Sequence, residues 1–181
     1  MRALACARAA LVAAAGALGL CAQTPRPAAT PAATSSADCP TPAIDTHTFL
    51  TTSTVSVRTP EGELSLVPVT NEAARERGLM CVVRIPPDRG MLFVFAPPDR
   101  VEGFWMKNTL VALDMVFVTG EGTVTTVAAD VPPTPRGTPD DAVARRQGLA
   151  RYVIELAAGD AARHHIVSGA KLFLPALTAQ E

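Results

Sequence analysis

The chain reads as a mainly β protein, β-rich α+β: a small, partly open barrel or sandwich of about seven short strands with two short helices. Three observations carry this reading. Apolar runs such as Met91–Phe95 and Leu113–Val118 are short and bounded by glycine or proline, which favours strands over helices. Elsewhere apolar residues alternate with polar ones, the mark of a strand with one buried face. Segments with helical character are brief, and many short strands with few helices fit a small barrel or sandwich.

The elements follow in order. Residues 1–22 read as a signal peptide: Arg2 and Arg8 stand before and at the start of the apolar run Ala9–Leu20, and small residues follow. That run is shorter than the roughly 20 apolar residues a spanning helix needs. Two processing outcomes fit its end. Cleavage after Ala22 would release a soluble protein, whereas Leu18-Gly19-Leu20-Cys21 resembles a lipoprotein box that would place a lipid on Cys21. Leu20 weighs against the second, because a small residue usually precedes such a cysteine. Residues 23–45, rich in Pro, Ala and Thr, read as a tether. A single globular domain is expected over 46–175, with a tail at 176–181.

Within the domain, Val55 and Val57, then Leu64 and Leu66, alternate about the turn Pro60-Glu61-Gly62-Glu63 and predict a hairpin. Pro68 ends its second strand or lies where that strand is an edge. Asn71–Arg77 is the best local helix: Thr70 or Asn71 caps it, Glu72 sits at its positive end and Gly78 stops it. At about two turns it needs packing to hold it. Strands follow at Met91–Phe95, Leu113–Val118 and Thr123–Ala129, the last two joined at Gly120-Glu121-Gly122. The stretch Val131–Gly148, rich in Pro, Arg and Asp, is long for a connection and reads as a flap or a partly mobile segment. Tyr152–Leu156 predicts a strand, Gly159–His165 a second short helix, and Lys171–Leu174 a last strand. A folded part of about 130 residues buries roughly two-thirds of its unfolded surface.

Charge narrows the partners. Sixteen basic residues against 17 acidic give a net charge of −1, and the basic residues are scattered, so no nucleic-acid partner is expected. The expected partners are a small molecule or an envelope protein, with membrane contact only through a lipid at Cys21. Of four cysteines, Cys6 and Cys21 fall in or at the leader. The remaining two, Cys39 and Cys81, are expected to form a disulfide in an oxidising compartment, the alternative being two unpaired residues with Cys81 buried.

Several motifs then occur in sequence: Arg77-Gly78-Leu79-Met80, Gly90-Met91-Leu92-Phe93-Val94-Phe95, Phe104-Trp105-Met106-Lys107-Asn108-Thr109, Leu113-Asp114-Met115, and Tyr152-Val153-Ile154-Glu155-Leu156 with Gly159. Together they resemble a bacterial and archaeal family catalogued as domain of unknown function 192 (DUF192), from about Val55 to Leu174. The Phe-Trp-Met-Lys-Asn-Thr run is the specific part. The resemblance implies a compact, mainly β fold, frequent export and no established enzymatic activity. The chain departs from relatives in having no cysteines within Val131–Gly148 and no aspartate after Ser168-Gly169.

Chemistry-bearing residues concentrate at Trp105, Lys107, Asn108, Thr109 and Asp114. If the flanking strands bend back, Lys107 and Asp114 meet at a pocket mouth and fix a polar or anionic ligand, with Asn108 and Thr109 adding hydrogen bonds. The structural alternative puts Trp105 and Met106 in the core, with Asn108 and Asp114 satisfying backbone groups. Only two of the 16 basic residues are lysines, which singles out Lys107 slightly as a compact charge.

No metal site or cofactor is expected. His164 and His165 are adjacent, so their rings diverge, and His47 stands alone. Met80, Cys81, Met91, Met106 and Met115 form a conceivable copper(I) set, but methionine at apolar strand positions is more often core filler. No nucleophile elbow or phosphate-binding loop is present. The preferred reading is therefore an exported, non-catalytic accessory or ligand-binding module of the cell envelope. Its rival is an envelope hydrolase using Lys107, Asp114 and Glu155.

Overall fold

The structure, a computed structural model, describes residues 52–180. The leader, the tether, the expected start of the domain at Thr46, Cys21 and Cys39 lie outside the described residues.

Among the described residues, eight strands and two short helices follow in the order β1 (Val55–Thr59), β2 (Gly62–Val69), α1 (Glu72–Arg77), β3 (Arg89–Val94), β4 (Arg100–Trp105), β5 (Leu113–Val118), β6 (Val124–Val131), β7 (Arg145–Ala150), β8 (Tyr152–Ala157) and α2 (Asp160–Arg163). Six strands form one sheet, ordered β1-β2-β3-β8-β5-β6, while β4 and β7 pair as a separate ribbon. The fold is mainly β, as expected, and is two sheets rather than a closed barrel. Neighbouring strands are antiparallel except β2 and β3, which run parallel. A parallel pair needs a crossover, and α1 lies within it.

The continuous apolar runs exist because the central strands are buried on both sides. Leu113, Met115 and Phe117 of β5 join one core cluster with Phe93 of β3 and Val153 of β8. Their neighbours Val116, Val118, Leu92, Val94, Ile154 and Leu156 join the other. Alternate residues of a strand point to opposite faces, so each central strand feeds two cores. The first face is covered by the ribbon: Phe104 packs edge-on against Phe93 and Phe117, with ring centroids 4.9 and 6.0 Å apart. Gly148 of β7 lies so close to Phe117 that an added Cβ would stand 2.6 Å from its Cγ. The second face is covered by α2 and the C-terminal segment, through Ala161, Ile166 and Leu172.

Pro68 takes the second of its two expected positions. It pairs with Leu92 of β3 but lies beyond Leu66, the last β2 residue that β1 reaches, so β2 has an open flank there. Helix α1 starts where its cap predicts: Asn71 Oδ1 accepts the Ala74 N–H at 3.0 Å, and Gly78, at φ 45°, donates back to the Ala74 carbonyl. None of its residues is fully buried; Ala74 packs against the first core, and one side chain adds to that hold. Arg75 binds Glu72, donates to the carbonyls of Thr70 and Val94, and stands 5.4 Å from the Phe95 ring.

Three expectations about elements are corrected. Lys171–Leu174 is not a strand; Lys171 and Phe173 make isolated bridges to Thr123 and Arg58, because the chain only crosses the sheet there. Val131–Gly148 is not one long flap, since its last part belongs to β7. Strand β4 was not expected, because its apolar signal is inverted: Val101 points to solvent while Glu102 and Gly148 face each other across the ribbon. The segment after Leu174 folds back, with Leu177 and Ala179 against the second core and the Gln180 N–H donating to the Thr70 carbonyl at 2.7 Å.

Candidate functional site

The ribbon's pairing decides which side chains reach solvent. Directly opposed residues share a face, so Trp105 with Arg145, Gly103 with Gln147 and Val101 with Leu149 form the outer face. Phe104, Gly148 and Ala150 take the inner face. The outer face therefore carries an aromatic ring and cations at one end. At the other end is an apolar pair, with Val101 64% and Leu149 46% exposed.

At the Trp105 end, Lys107 Nζ and Arg145 Cζ each stand 5.1 Å from the indole centroid. That distance is within cation–π range. Lys107 Nζ also meets Asp140 Oδ1 at 2.7 Å, and Arg145 Nη2 donates to the Asp140 carbonyl at 3.2 Å. Arg146 Nη1 donates to the Arg145 carbonyl at 2.7 Å. Trp105 and Arg145 also line an open concavity of about 760 Å³, together with Gly103, Phe104, Arg146 and Gln147. Gly103 leaves its floor bare, since nothing lies within 4 Å of where its Cβ would be.

The other expected residues separate from this group. Trp105 is partly buried and packs against the edge of the first core, while Met106, its neighbour, is fully buried within it. Thr109 is buried: its N–H donates to the Met106 carbonyl, its Oγ1 to the Lys107 carbonyl, and its own carbonyl accepts from Thr134. Asn108 sits at φ 51°, and its carbonyl accepts the Cys81 N–H at 2.9 Å. Both residues shape the turn that presents Lys107.

Asp114 belongs to the opposite face of the sheet. Its Oδ2 accepts the N–H groups of Gly159 and Ala161 at 2.9 and 3.0 Å, and its Oδ1 accepts that of Asp130 at 2.8 Å. It caps α2, whose own Gly159 offers no side-chain cap, and completes the bulge between β5 and β6. Asp114 thus satisfies backbone groups, and Lys107 pairs with Asp140 instead.

Glu155 is on the first face, opposed to Met91 of β3 and to Met115 of β5. Its Oε2 is buried without a hydrogen-bond partner, and desolvation pushes its pKa up to about 8. Asp114 and Glu155 therefore point to opposite sides of the sheet. The set Lys107, Asp114 and Glu155 does not gather in one cleft.

A polar cluster not singled out from the sequence lies at the other end of the domain. His164 Nε2 meets Asp88 Oδ1 at 2.8 Å and its Nδ1 meets Thr59 Oγ1 at 3.1 Å. Arg163 bonds both Asp88 and Asp160. The hydrogen bond from Arg163, then that from His164, holds the Asp88 carboxyl below the usual range. The cluster ties the β1–β2 turn to α2. The histidine rings diverge as expected, His164 being 6% exposed at its side chain and His165 71%. The sequence signal was faint, because these residues are dozens of positions apart. The Cys39–Cys81 pairing lies outside the described residues at its Cys39 end; at its other end Cys81 is buried and engaged. Among the described residues no three His, Cys, Asp or Glu side chains gather as a metal cluster, and no helix is long and apolar enough to cross a membrane.

Two solved structures are similar to this chain in fold and sequence. One, from Sinorhizobium meliloti 1021 and described provisionally as a transcription regulator, is 31% identical with a TM-score of 0.55. The match covers 67% of this chain and 95% of that one. The other, a protein of unknown function from Novosphingobium aromaticivorans DSM 12444, is 27% identical with a TM-score of 0.54, covering 66% and 84%. No curated protein matches the chain. The model of the DUF192 family, described as an uncharacterized ACR, matches residues 55–174, a span that takes in all the strands and helices of the described residues, and the chain belongs to that family.

Proposed function

We propose that the protein is an exported, non-catalytic binding module of the cell envelope that receives an anionic group at the outer face of the β4–β7 ribbon. The observation that carries this reading is the Trp105 ring with Lys107 and Arg145 standing over it at the edge of an open concavity. Two cations of this face, Lys107 and Arg145, meet one carboxylate, Asp140, so the face is short of negative charge. A carboxylate or phosphate entering there replaces Asp140 on Lys107 and takes paired donors from a guanidinium. The aromatic ring supplies the apolar contact that a binding face needs alongside its polar groups. Export rests on the leader at 1–22, and the tether at 23–45 supplies reach from the membrane.

Trp105 is the only tryptophan in the sequence, so intrinsic fluorescence reports this face alone. Titration of the mature protein with inorganic phosphate, glutamate and a short polyglutamate peptide should give saturable quenching with at least one probe. Arg145→Ala should weaken that response severalfold while leaving the thermal melt close to wild type, since its side chain is exposed, and Lys107→Ala, at a side chain 16% exposed and paired with Asp140, should weaken it at least as much. Emission unmoved by all three probes at millimolar concentration defeats the reading.

A further inference from the structure

The central strands place two thioethers either side of one buried carboxylate. Met91 of β3, Glu155 of β8 and Met115 of β5 are directly opposed in adjacent antiparallel pairs and form a single row across the first face. Met115 is fully buried in that core, Met91 packs against it, and Met91 remains half-buried toward the rim. Glu155 Oε2 is buried with no hydrogen-bond partner, and no ion pair among the described residues involves it. Gly78 lies beside it without a side chain, a Cβ there standing 3.7 Å from Oε2 and 3.4 Å from the Phe93 ring.

From this row we propose that Met91, Glu155 and Met115 form a binding site for one soft monovalent metal ion, copper(I) by its chemistry. Three arguments select the ion. Thioethers are soft donors that favour copper(I) over zinc, magnesium or calcium. Hard cations demand about six oxygens, and one carboxylate cannot provide them. Binding displaces the Glu155 proton to solvent, and the one carboxylate then neutralises a single positive charge, whereas a divalent ion would leave a net charge in an apolar interior at heavy desolvation cost. The sulfur residues read singly as core filler from the sequence, because nothing there shows a carboxylate lying between two of them. This site is separate from the Trp105 face and does not depend on what binds there.

The test uses the oxidised mature protein under anaerobic conditions. Copper(I) held by bicinchoninate should be withdrawn one equivalent per chain, read as loss of the chelator's visible absorbance. Met91→Leu with Met115→Leu, and separately Glu155→Gln, should each weaken that withdrawal about tenfold or more, equivalent to about 1.4 kcal/mol. Leucine for methionine conserves volume, so folding is expected to survive. A second measurement needs no variant. With silver(I) as a diamagnetic substitute, the ε-methyl resonances of Met91 and Met115 should shift together by one equivalent while those of Met80 and Met106 stay. No withdrawal of copper by the wild-type chain, undiminished withdrawal by the double variant, or stationary Met91 and Met115 resonances each overturns the proposal.

Discussion

Glu155 shows how one residue's environment changes its chemistry. In solution its carboxyl would titrate near 4.5, but in the folded chain burial raises it to about 8, so it keeps its proton at neutral pH. Below about pH 4.5 folded and unfolded states are both protonated there, and the residue adds no pH dependence. Between roughly 4.5 and 8 only the unfolded chain releases the proton, so stability falls as pH rises, and above 8 the loss levels off. At pH 7 the cost is on the order of 3 kcal/mol. Glu155→Gln removes the ionisable group while keeping its size, so the variant should gain on wild type steadily from pH 5 to pH 8. Urea midpoints of both proteins across that range measure it, and a difference independent of pH would show that the side chain is not a buried neutral acid. The strand containing Glu155 was legible from Tyr152, Ile154 and Leu156. The strain on Glu155 was not, because alternation does not reveal whether the polar face of a strand is solvated or covered by a second sheet.

Among the elements, the β4–β7 ribbon was the hardest to foresee and carries the candidate site. Six strands were legible because their apolar residues cluster or alternate, and α1 because Asn71 and Gly78 mark its ends. In the ribbon those signals fail. Its inward positions on β7 are Gly148 and Ala150, since Phe104 and Phe117 already fill the space, and its outward positions include Val101 and Leu149. The Phe-Trp-Met-Lys-Asn-Thr run therefore looked like a loop when its first two residues end a strand. Gly148 gives the sharpest test of this packing. An added methyl would stand 2.6 Å from Phe117 Cγ and 2.8 Å from its Cβ, so the ribbon must lift or the ring must turn. Gly148→Ala should cost about 1–3 kcal/mol by overpacking. It should also move Trp105 emission, because β4 is hydrogen-bonded to β7 beside it. Gln147→Ala, on the outer face, is the control and should do neither.

Across the whole chain, sequence patterns located strands well but said little about which distant groups would meet. Asp114 was expected near Lys107 and instead caps α2 about 45 residues away, because a one-residue step along β5 sends it to the opposite face. The same limit applies to the Cys39–Cys81 pair, where position in the chain and the oxidising compartment supply the argument. Cys81 lies in the turn held by Asn108, next to Lys107, so a bond there would anchor the far end of the tether beside the proposed binding face. Closing a loop of about 40 residues should stabilise the fold by about 4 kcal/mol on a chain-entropy estimate. We therefore predict that peptide mapping of the exported, unreduced protein recovers one linked peptide containing both cysteines. Reduction should then lower the urea midpoint without abolishing the cooperative melt, since both sheet faces are packed without the bond. Both thiols alkylated in the unreduced, denatured protein would show that the bond is absent, and the fold would then rest on its two packed faces alone.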